Sequence, residues 1–287
     1  MQLSEKEILK IVEIIEESGE VAKKAFLNKN FIVNYKQDES PVSNIDIELG
    51  IFITNALKQN FPQIKVICEE DDDSNNQINQ SDDLFWLLDP IDGTSSFIGN
   101  SDEFAINLAL VKNGKAIFGI IYAPLFMGGK MLFTNHLGLV VNKDKNNIHN
   151  LLPKLSSNYN QLNELRILVS TKTKNQQIED FIAKFFSKYV NKISIIRLSS
   201  AVKFIYLAEN NADIYLHLRR SMAWDTASGQ AIIEAMNGRL FSLESNQEKS
   251  SYKMNGFSIE YNANNLVNPY FFTSFISDFP VANFNES

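Results

Sequence analysis

Leu84-Phe85-Trp86-Leu87-Leu88-Asp89-Pro90-Ile91-Asp92-Gly93-Thr94 is the stretch on which the reading of this chain turns. Its apolar first half fits a buried strand, and the run stops abruptly at two aspartates three positions apart. Pro90 stiffens the backbone between them, and Gly93-Thr94 follows. Hard divalent cations need carboxylate oxygens held close together, and phosphates need exposed backbone N–H groups. The segment offers both. Two aspartates at the end of so apolar a strand repel and desolvate one another unless a cation pairs them, so a bare turn is the poorer explanation.

Upstream, Ile8, Ile11, Val12, Ile15, Ala22 and Phe26 recur at helical spacing and predict an amphipathic helix over 4–27. Residues 31–35 read as a strand. Ser43-Asn44 then caps a second helix that runs to about residue 60, where Phe61-Pro62 ends it. Residues 64–68 form a short buried strand leading into Glu69-Glu70-Asp71-Asp72-Asp73, and the polar stretch 71–83 reads as a surface loop.

Downstream, strands at 104–111 and 116–122 flank Lys112-Asn113-Gly114-Lys115, where Asn-Gly signals a hairpin. Gly128-Gly129 turns the chain into a strand at 130–134. Residues 142–164 are polar with scattered leucines, and the domain boundary is placed there, giving an N-terminal α+β domain at 1–155 and a C-terminal α/β domain at 156–287. The second half alternates: strand 165–170, helix 176–189, strand 193–197, a helix capped at Ser199-Ser200 through 208, strand 212–217, and a helix over 225–236 closed by Asn237-Gly238. Alternation of this kind predicts an α/β layer with a mixed or parallel sheet.

The composition is that of a globular protein: 287 residues, 44% hydrophobic and 21% charged, enough for a sizeable core without a staple. The single cysteine, Cys68, excludes an internal disulfide and fits a reducing cytoplasm. A net charge of −7 argues against nucleic-acid binding. The glutamate-rich N-terminus lacks the layout of a signal peptide, and the most apolar long window, 116–131, is broken by Pro124 and Gly128-Gly129. The aromatic run 270–279 reads as core.

Taken singly, Asp225 is as well read as a helix N-cap, and the 69–73 cluster as a solvated loop. Together they suggest more. Glu69 follows one strand, Asp89 and Asp92 follow another, and Asp225 begins a helix. If those ends are neighbours, four carboxylates meet on one edge. Two Mg²⁺ ions roughly 3.5–4 Å apart would neutralise them and clamp a phosphate ester. Gly93 permits close backbone approach, and the N–H groups of Gly93 and Thr94 can cradle phosphate oxygens. His136, His149 and His217 lie near no partner motif, and Cys68 sits in an apolar strand, so direct attack by metal-activated water is the simplest chemistry.

These motifs resemble those of the inositol monophosphatase superfamily of Mg²⁺-dependent, Li⁺-sensitive phosphatases. The resemblance rests on Glu69-Glu70, Asp89-Pro-Ile-Asp-Gly-Thr94 and Trp224-Asp225-Thr-Ala-Ser-Gly229, in order and with similar spacing, preceded by Ser40-Pro-Val-Ser-Asn-Ile-Asp46. It covers most of the chain and implies an alternating α-β-α-β-α sandwich. Within the superfamily, Glu103-Phe-Ala-Ile-Asn107, Gly119-Ile-Ile-Tyr122-Ala-Pro124 and Ser199-Ser200-Ala-Val-Lys203-Phe204 look most like the 3′(2′),5′-bisphosphate nucleotidases of the bacterial CysQ type. That likeness implies removal of the 3′-phosphate from adenosine 3′,5′-bisphosphate, a by-product of sulfate activation and sulfotransfer.

By the same resemblance, Glu69, Asp89 and the Ile91 carbonyl hold a first metal, and Asp89, Asp92 and Asp225 a second. Two or three Mg²⁺ ions are implied. Thr94, hydrogen-bonded to Asp46, orients the attacking water and helps deprotonate it together with Glu69. Ile91, Asp92, Gly93, Thr94, Glu69 and Asp225 line the phosphate site. Where the family often has Lys-Glu after Gly-Thr, this chain has Ser95-Ser96, and where its nucleotidases carry Pro or Gly before the Trp-Asp motif it has His217-Leu-Arg219-Arg220-Ser-Met. A second phosphate needs a second anion site; Ser199, Lys203, Arg219 and Arg220 are the candidates, with Arg suited to bidentate contact, against a reading of the two arginines as solvated surface charges.

The expected partner is a small phosphate ester, with no nucleic acid and no transmembrane segment. Location is expected in the cytoplasm, with peripheral contact to the inner membrane and the choice between monomer and homodimer left open. Inositol monophosphatase or fructose-1,6-bisphosphatase activity shares the metal motifs and stands as an alternative. A non-catalytic metal- or nucleotide-binding module is the rival of another class, and the pairing of Asp46 with Thr94 argues against it.

Overall fold

In the computed structural model, which describes residues 2–71, 83–144, 147–152, 163–186, 192–246 and 251–276, helices and sheets stack in five layers, α-β-α-β-α. The outer layer begins with α1 (Glu5–Asn28), started by a Ser4–Glu7 capping box and burying Ile8, Ile11, Val12, Ile15, Ala22 and Phe26 along one stripe. A hairpin of β1 (Val33–Tyr35) and β2 (Pro41–Ser43) leads into α2 (Asn44–Asn60), whose N-cap is Ser43 and whose box is closed by Asp46. The cap that starts this helix thus also fixes a carboxylate.

These helices cover one face of a seven-stranded sheet. Its strands are β3 (Lys65–Cys68), β4 (Leu84–Asp92) and, after the single turn of α3 (Thr94–Ile98), β5 (Ala105–Lys112), β6 (Lys115–Ala123), β7 (Lys130–Thr134), β8 (Val140–Asp144) and β9 (Ile148–Leu151), in that spatial order. β3 and β4 run parallel with Cys68 opposite Leu88, so both carboxyl ends leave the sheet together and Glu69 emerges next to Asp89. Along β4 the side chains alternate: Trp86 and Leu88 join the core under α1 and α2, and Phe85 and Leu87 join the core on the opposite face. Burial on both faces explains why the strand is apolar without a break.

The stretch 142–164 is not wholly a linker, since β8 and β9 extend the sheet to residue 151. β9 is an edge strand whose Ile148 is 67% exposed, so it needs no apolar alternation and its composition reads as loop. Residues 153–162 of that stretch, and most of the loop predicted at 71–83, lie outside the described residues.

The second sheet is built from β10 (Leu165–Ser170), then α4 (Asn175–Phe185), β11 (Ile193–Leu198), α5 (Val202–Ala208), β12 (Ile214–His217), α6 (Ala223–Ala235), β13 (Arg239–Asn246), β14 (Ser251–Phe257) and β15 (Tyr270–Ser274). Strand order is β11-β10-β12-β15-β13-β14, with the first three parallel and the rest antiparallel, the mixed sheet that the alternation predicts. α4 packs Ile178, Phe181 and Phe185 on the outer face. α5 and α6 fill the layer between the sheets, where Val202, Phe204, Ala227 and Ile232 share one core with Phe85 and Leu87 of the first sheet and Leu168 and Phe271 of the second. The approach is close: a Cβ on Gly119 of β6 would lie 2.3 Å from the Ser228 carbonyl oxygen of α6.

Two local expectations change. The helix expected to start at Ser199-Ser200 begins at Val202, because Ser200 takes a left-handed backbone (φ 49°). Asp225 is not an N-cap but the third residue of α6, its Oδ2 accepting the Met222 N–H at 2.7 Å. The end of the helix predicted to residue 189 falls outside the described residues. Within the aromatic C-terminal run, Phe271 and Phe272 are fully buried, as core packing requires. No helix among the described residues is long and apolar enough to cross a membrane. We propose that residues 1–155 and 156–287 form two domains, each centred on its own sheet, with α5 and α6 packed between them.

Candidate active site

The parallel pairing of β3 with β4 aims two acidic sequences at one place, and the first turn of α6 brings a third. Carboxylate oxygens of Glu69, Asp89 and Asp225 all lie within 4.8 Å of one another. Asp89 is 2% exposed, and its Oδ1 has no hydrogen-bond partner among the described residues. A bare carboxylate oxygen buried beside two further carboxylates is costly without a cation. Burial first, and then Glu69, Asp92 and Asp225, hold the Asp89 carboxyl well above its ordinary range; burial and then Asp92 and Glu69 do the same to Asp225. An oxygen-only donor set with an orphaned buried oxygen is what a hard divalent cation fits.

Asp92 stands slightly apart from this trio. It accepts the Ala201 N–H at the start of α5, and Lys203 lies beside it. Burial raises it to about 6 against the opposing pull of Lys203. A bulge between Asp89 and Asp92 displaces the end of β4 from its partner and leaves the Ile91 carbonyl 3.1 Å from the Thr94 hydroxyl. The same hydroxyl lies 2.9 Å from Asp46 Oδ1, so either oxygen can take its one proton. Asp46 is fully buried and is held by the Ser43 N–H at 3.0 Å and the Ser43 hydroxyl. Gly93 joins these groups with a left-handed backbone (φ 91°), and a Cβ there would meet Ser200 Cβ at 2.8 Å and the Glu103 carbonyl at 2.9 Å. Only glycine fits.

Lys36, from the loop after β1, forms ion pairs with Glu70 at 2.8 Å and Glu69 at 3.3 Å. Burial works against its charge, but the two glutamates outweigh it and hold the ammonium above its usual value. Glu70 is raised to about 7, by burial first, with the hydrogen bond from Lys36 opposing. Cys68, buried and pushed up to about 12 by desolvation, is no nucleophile.

Glu69, Asp92 and Asp225 line a cleft of about 250 Å³ that also carries a cationic wall. Lys203, 4% exposed, sits with its Nζ 5.3 Å from the centre of the Tyr215 ring and donates to the Ser200 carbonyl. Burial lowers it to about 8 against the pull of Asp92, Asp225 and Glu103. Arg219 and Arg220 line the cleft as well. Ser199 lines it with its N–H given to Glu103 Oε2 at 2.6 Å and its hydroxyl 2.8 Å from that of Thr171. The second-anion candidates therefore share one cavity with the acidic residues, and Arg219 and Arg220 face a site rather than open solvent alone.

Sequence reasoning missed three residues of this wall. Lys172 reaches across the cleft to Ser95 Oγ at 3.0 Å. Tyr215 and His217 lie at the carboxyl end of β12, and His217, read from sequence as remote from any motif, lines the cleft. The available signal was topological: ligands in α/β layers gather at the carboxyl ends of strands, where His217 ends its strand.

An α-β-α-β-α sandwich whose carboxylate trio comes from the carboxyl ends of two parallel strands and the first turn of a helix defines the sugar-phosphatase type of fold. The chain belongs to the inositol monophosphatase family, which it matches over residues 4–268. It is similar to the 3′(2′),5′-bisphosphate nucleotidase CysQ of Buchnera aphidicola, 29% identical over 232 residues that cover 80% of this chain and 82% of that one. The protein of the same name from Haemophilus influenzae is 27% identical over 247 residues, covering 86% and 84%. In structure, the chain resembles CysQ from Bacteroides thetaiotaomicron with a TM-score of 0.72 at 22% identity, over 94% of this chain and 97% of that one. Staphylococcal inositol monophosphatase-1, in an inhibitory complex soaked in LiCl, gives 0.69 at 14% identity over 99% and 94%.

Proposed function

We propose that the protein is a Mg²⁺-dependent phosphomonoesterase that removes the 3′-phosphate of adenosine 3′,5′-bisphosphate, releasing adenosine 5′-monophosphate and inorganic phosphate. The observation that carries this reading is the cleft itself, which Glu69, Asp92 and Asp225 line together with Lys203, Arg219 and Arg220. A substrate with one phosphate would use the acidic end alone; a bisphosphate uses both. Relatives named as nucleotidases for such substrates support the same choice.

In this reading Glu69, Asp89 and Asp225, with Asp92 and the Ile91 carbonyl at their edge, hold the divalent cations. When bound, the metal neutralises phosphate oxygens, lowers the pKa of water and stabilises the leaving alkoxide. The chain's own groups do the rest. Thr94 gives its proton to Asp46 Oδ1 and so presents a lone pair to a water beside the trio. Glu69 takes a proton from that water as its oxygen bonds to phosphorus, the P–O3′ bond breaks, O3′ leaves as the alkoxide and takes a proton from solvent, and Glu69 returns its own proton to solvent. The backbone of Gly93 and Thr94 borders the scissile phosphate, and Ser199, Lys203, Arg219 and Arg220 border the 5′-phosphate. The substrate links the activity to sulfur assimilation, and a reducing cytoplasm suits a chain with one buried thiol.

A panel at fixed Mg²⁺ tests the reading: adenosine 3′,5′-bisphosphate, inositol 1-phosphate, fructose 1,6-bisphosphate and NADP. The first should lead in kcat/KM by at least about tenfold, the worth of one good charged hydrogen bond. Leadership by inositol 1-phosphate or fructose 1,6-bisphosphate would overturn the substrate assignment, and turnover of none would favour a binding module.

A further inference from the structure

Among the cations of the cleft wall stands a neutral imidazole. His217 lies in a three-ring stack: its imidazole is nearly parallel to the Phe271 ring at 5.0 Å and edge-on to Tyr215 at 5.9 Å. Its Nδ1 is 2.9 Å from the Tyr215 hydroxyl, while its Nε2 is buried and has no hydrogen-bond partner among the described residues. Burial, then the charges of Lys203 and Arg219, push His217 down to about 3; the Arg219 backbone opposes this least and completes no hydrogen bond to Nε2. The ring is therefore neutral at ordinary pH.

Its tautomer follows from Tyr215. That hydroxyl is buried, and burial with Asp92 and Asp225 nearby keeps it protonated. Among the described residues His217 Nδ1 is its hydrogen-bond partner. The phenol must donate there to be satisfied, which leaves the imidazole proton on Nε2. A buried N–H with no acceptor among the described residues costs free energy that an incoming acceptor restores. Flanked by Lys203 and Arg219, that acceptor is anionic.

We propose that His217 is a specificity-determining residue whose Nε2–H hydrogen-bonds the substrate's phosphate remote from the scissile one, with Tyr215 as the positioning residue that sets the tautomer. This rests on the bisphosphate reading above. A neutral donor adds a directional contact that lysine and arginine, as charges, supply less selectively, and Phe271 and Tyr215 hold it without leaving it free to turn away.

The test is a ratio of kcat/KM, adenosine 3′,5′-bisphosphate over adenosine 3′-monophosphate, in the full-length protein with Mg²⁺. His217→Leu should lower that ratio about tenfold, the loss of one hydrogen bond to a charged group. His217→Gln, which can return an N–H donor, should recover part of it, and Tyr215→Phe should lower it about threefold by freeing the tautomer. Equal losses on both substrates in His217→Leu and Tyr215→Phe would overturn the proposal, because a merely structural role weakens both alike. Should His217→Leu not fold, the Tyr215→Phe ratio decides alone. Wild-type protein that favours the monophosphate would instead sink the bisphosphate reading, an outcome distinct from unchanged ratios in the variants.

Discussion

The two walls of the cleft are made in opposite ways. The acidic wall is local: Asp89 and Asp92 close one strand, Glu69 closes its parallel neighbour, and Asp46 and Asp225 are each the third residue of a helix. Every carboxylate sits at the end of a regular element, so position follows from secondary structure. The cationic wall is assembled from afar. Lys172 follows β10, Lys203 rides on α5, and His217, Arg219 and Arg220 leave β12, with Ser95 answering from the first half of the chain. Chemistry is written in short motifs, and substrate choice in how separate segments meet.

Predictions that break the first wall carry the largest effects. Asp89→Asn removes the most buried member of the trio while keeping its volume. Phosphate release should fall by about 10³-fold, in line with losing a preorganised charge at the reacting centre, and the thermal shift induced by Mg²⁺ should shrink with it. Undiminished turnover would remove Asp89 from the metal site. The same variant should unfold at a higher temperature in chelator, because an amide beside Glu69 and Asp225 ends a like-charge repulsion.

Next comes the hinge between binding and turnover. Thr94→Val keeps the shape of α3's first residue but deletes the hydroxyl 2.9 Å from Asp46. A drop in kcat of about 10²-fold with little change in KM is expected, and Thr94→Ser should restore most of it. A rise in KM at constant kcat would make Thr94 a binding group rather than a participant in proton transfer.

The opposite wall yields a smaller and differently shaped effect. Arg219→Ala with Arg220→Ala should raise KM for adenosine 3′,5′-bisphosphate by about tenfold and narrow its advantage over adenosine 3′-monophosphate. An unchanged preference would return both arginines to the role of solvated charges.

The contrast between walls also explains what was legible in the sequence. Trp86 and Leu88 against Phe85 and Leu87 mark a strand buried on both faces, and Ser43 before Asp46 marks a helix start, so the strand, the helix and their carboxylates were readable in place. Alternating strands and helices implied the mixed second sheet. β9 escaped because an exposed edge strand carries no apolar signature, and the start of α5 moved because Asp92, more than a hundred positions earlier, takes the Ala201 N–H that a serine cap was expected to serve. His217 escaped for the deepest reason. Its meaning depends on Tyr215, Phe271 and Lys203 around it, and no local pattern connects a strand end to an aromatic ring 54 residues later.

The smallest effect separates the walls by sign. In chelator, the raised carboxyls of Asp89 and Asp225, with Asp92 at about 6, bind protons more tightly in the folded chain than in the unfolded one, where aspartate titrates near about 4. Their contribution favours folding at low pH and is lost as pH climbs from about 4 through 6 and above. His217 does the reverse. Lowered to about 3 from an unfolded value near about 6.5, it burdens the folded state below its folded value, and that burden lifts as pH rises to the unfolded one. Between those limits the three raised carboxyls outnumber the one lowered imidazole, so the melting temperature of the wild type in chelator should fall as pH rises. Asp89→Asn should flatten that fall and His217→Leu should steepen it, each by about 3–6 °C across pH 4 to 7. Saturating Mg²⁺, which binds the deprotonated trio, should stabilise the wild type more at pH 8 than at pH 5, and a Mg²⁺ shift that is equal at both would show that the cation does not compete with those protons.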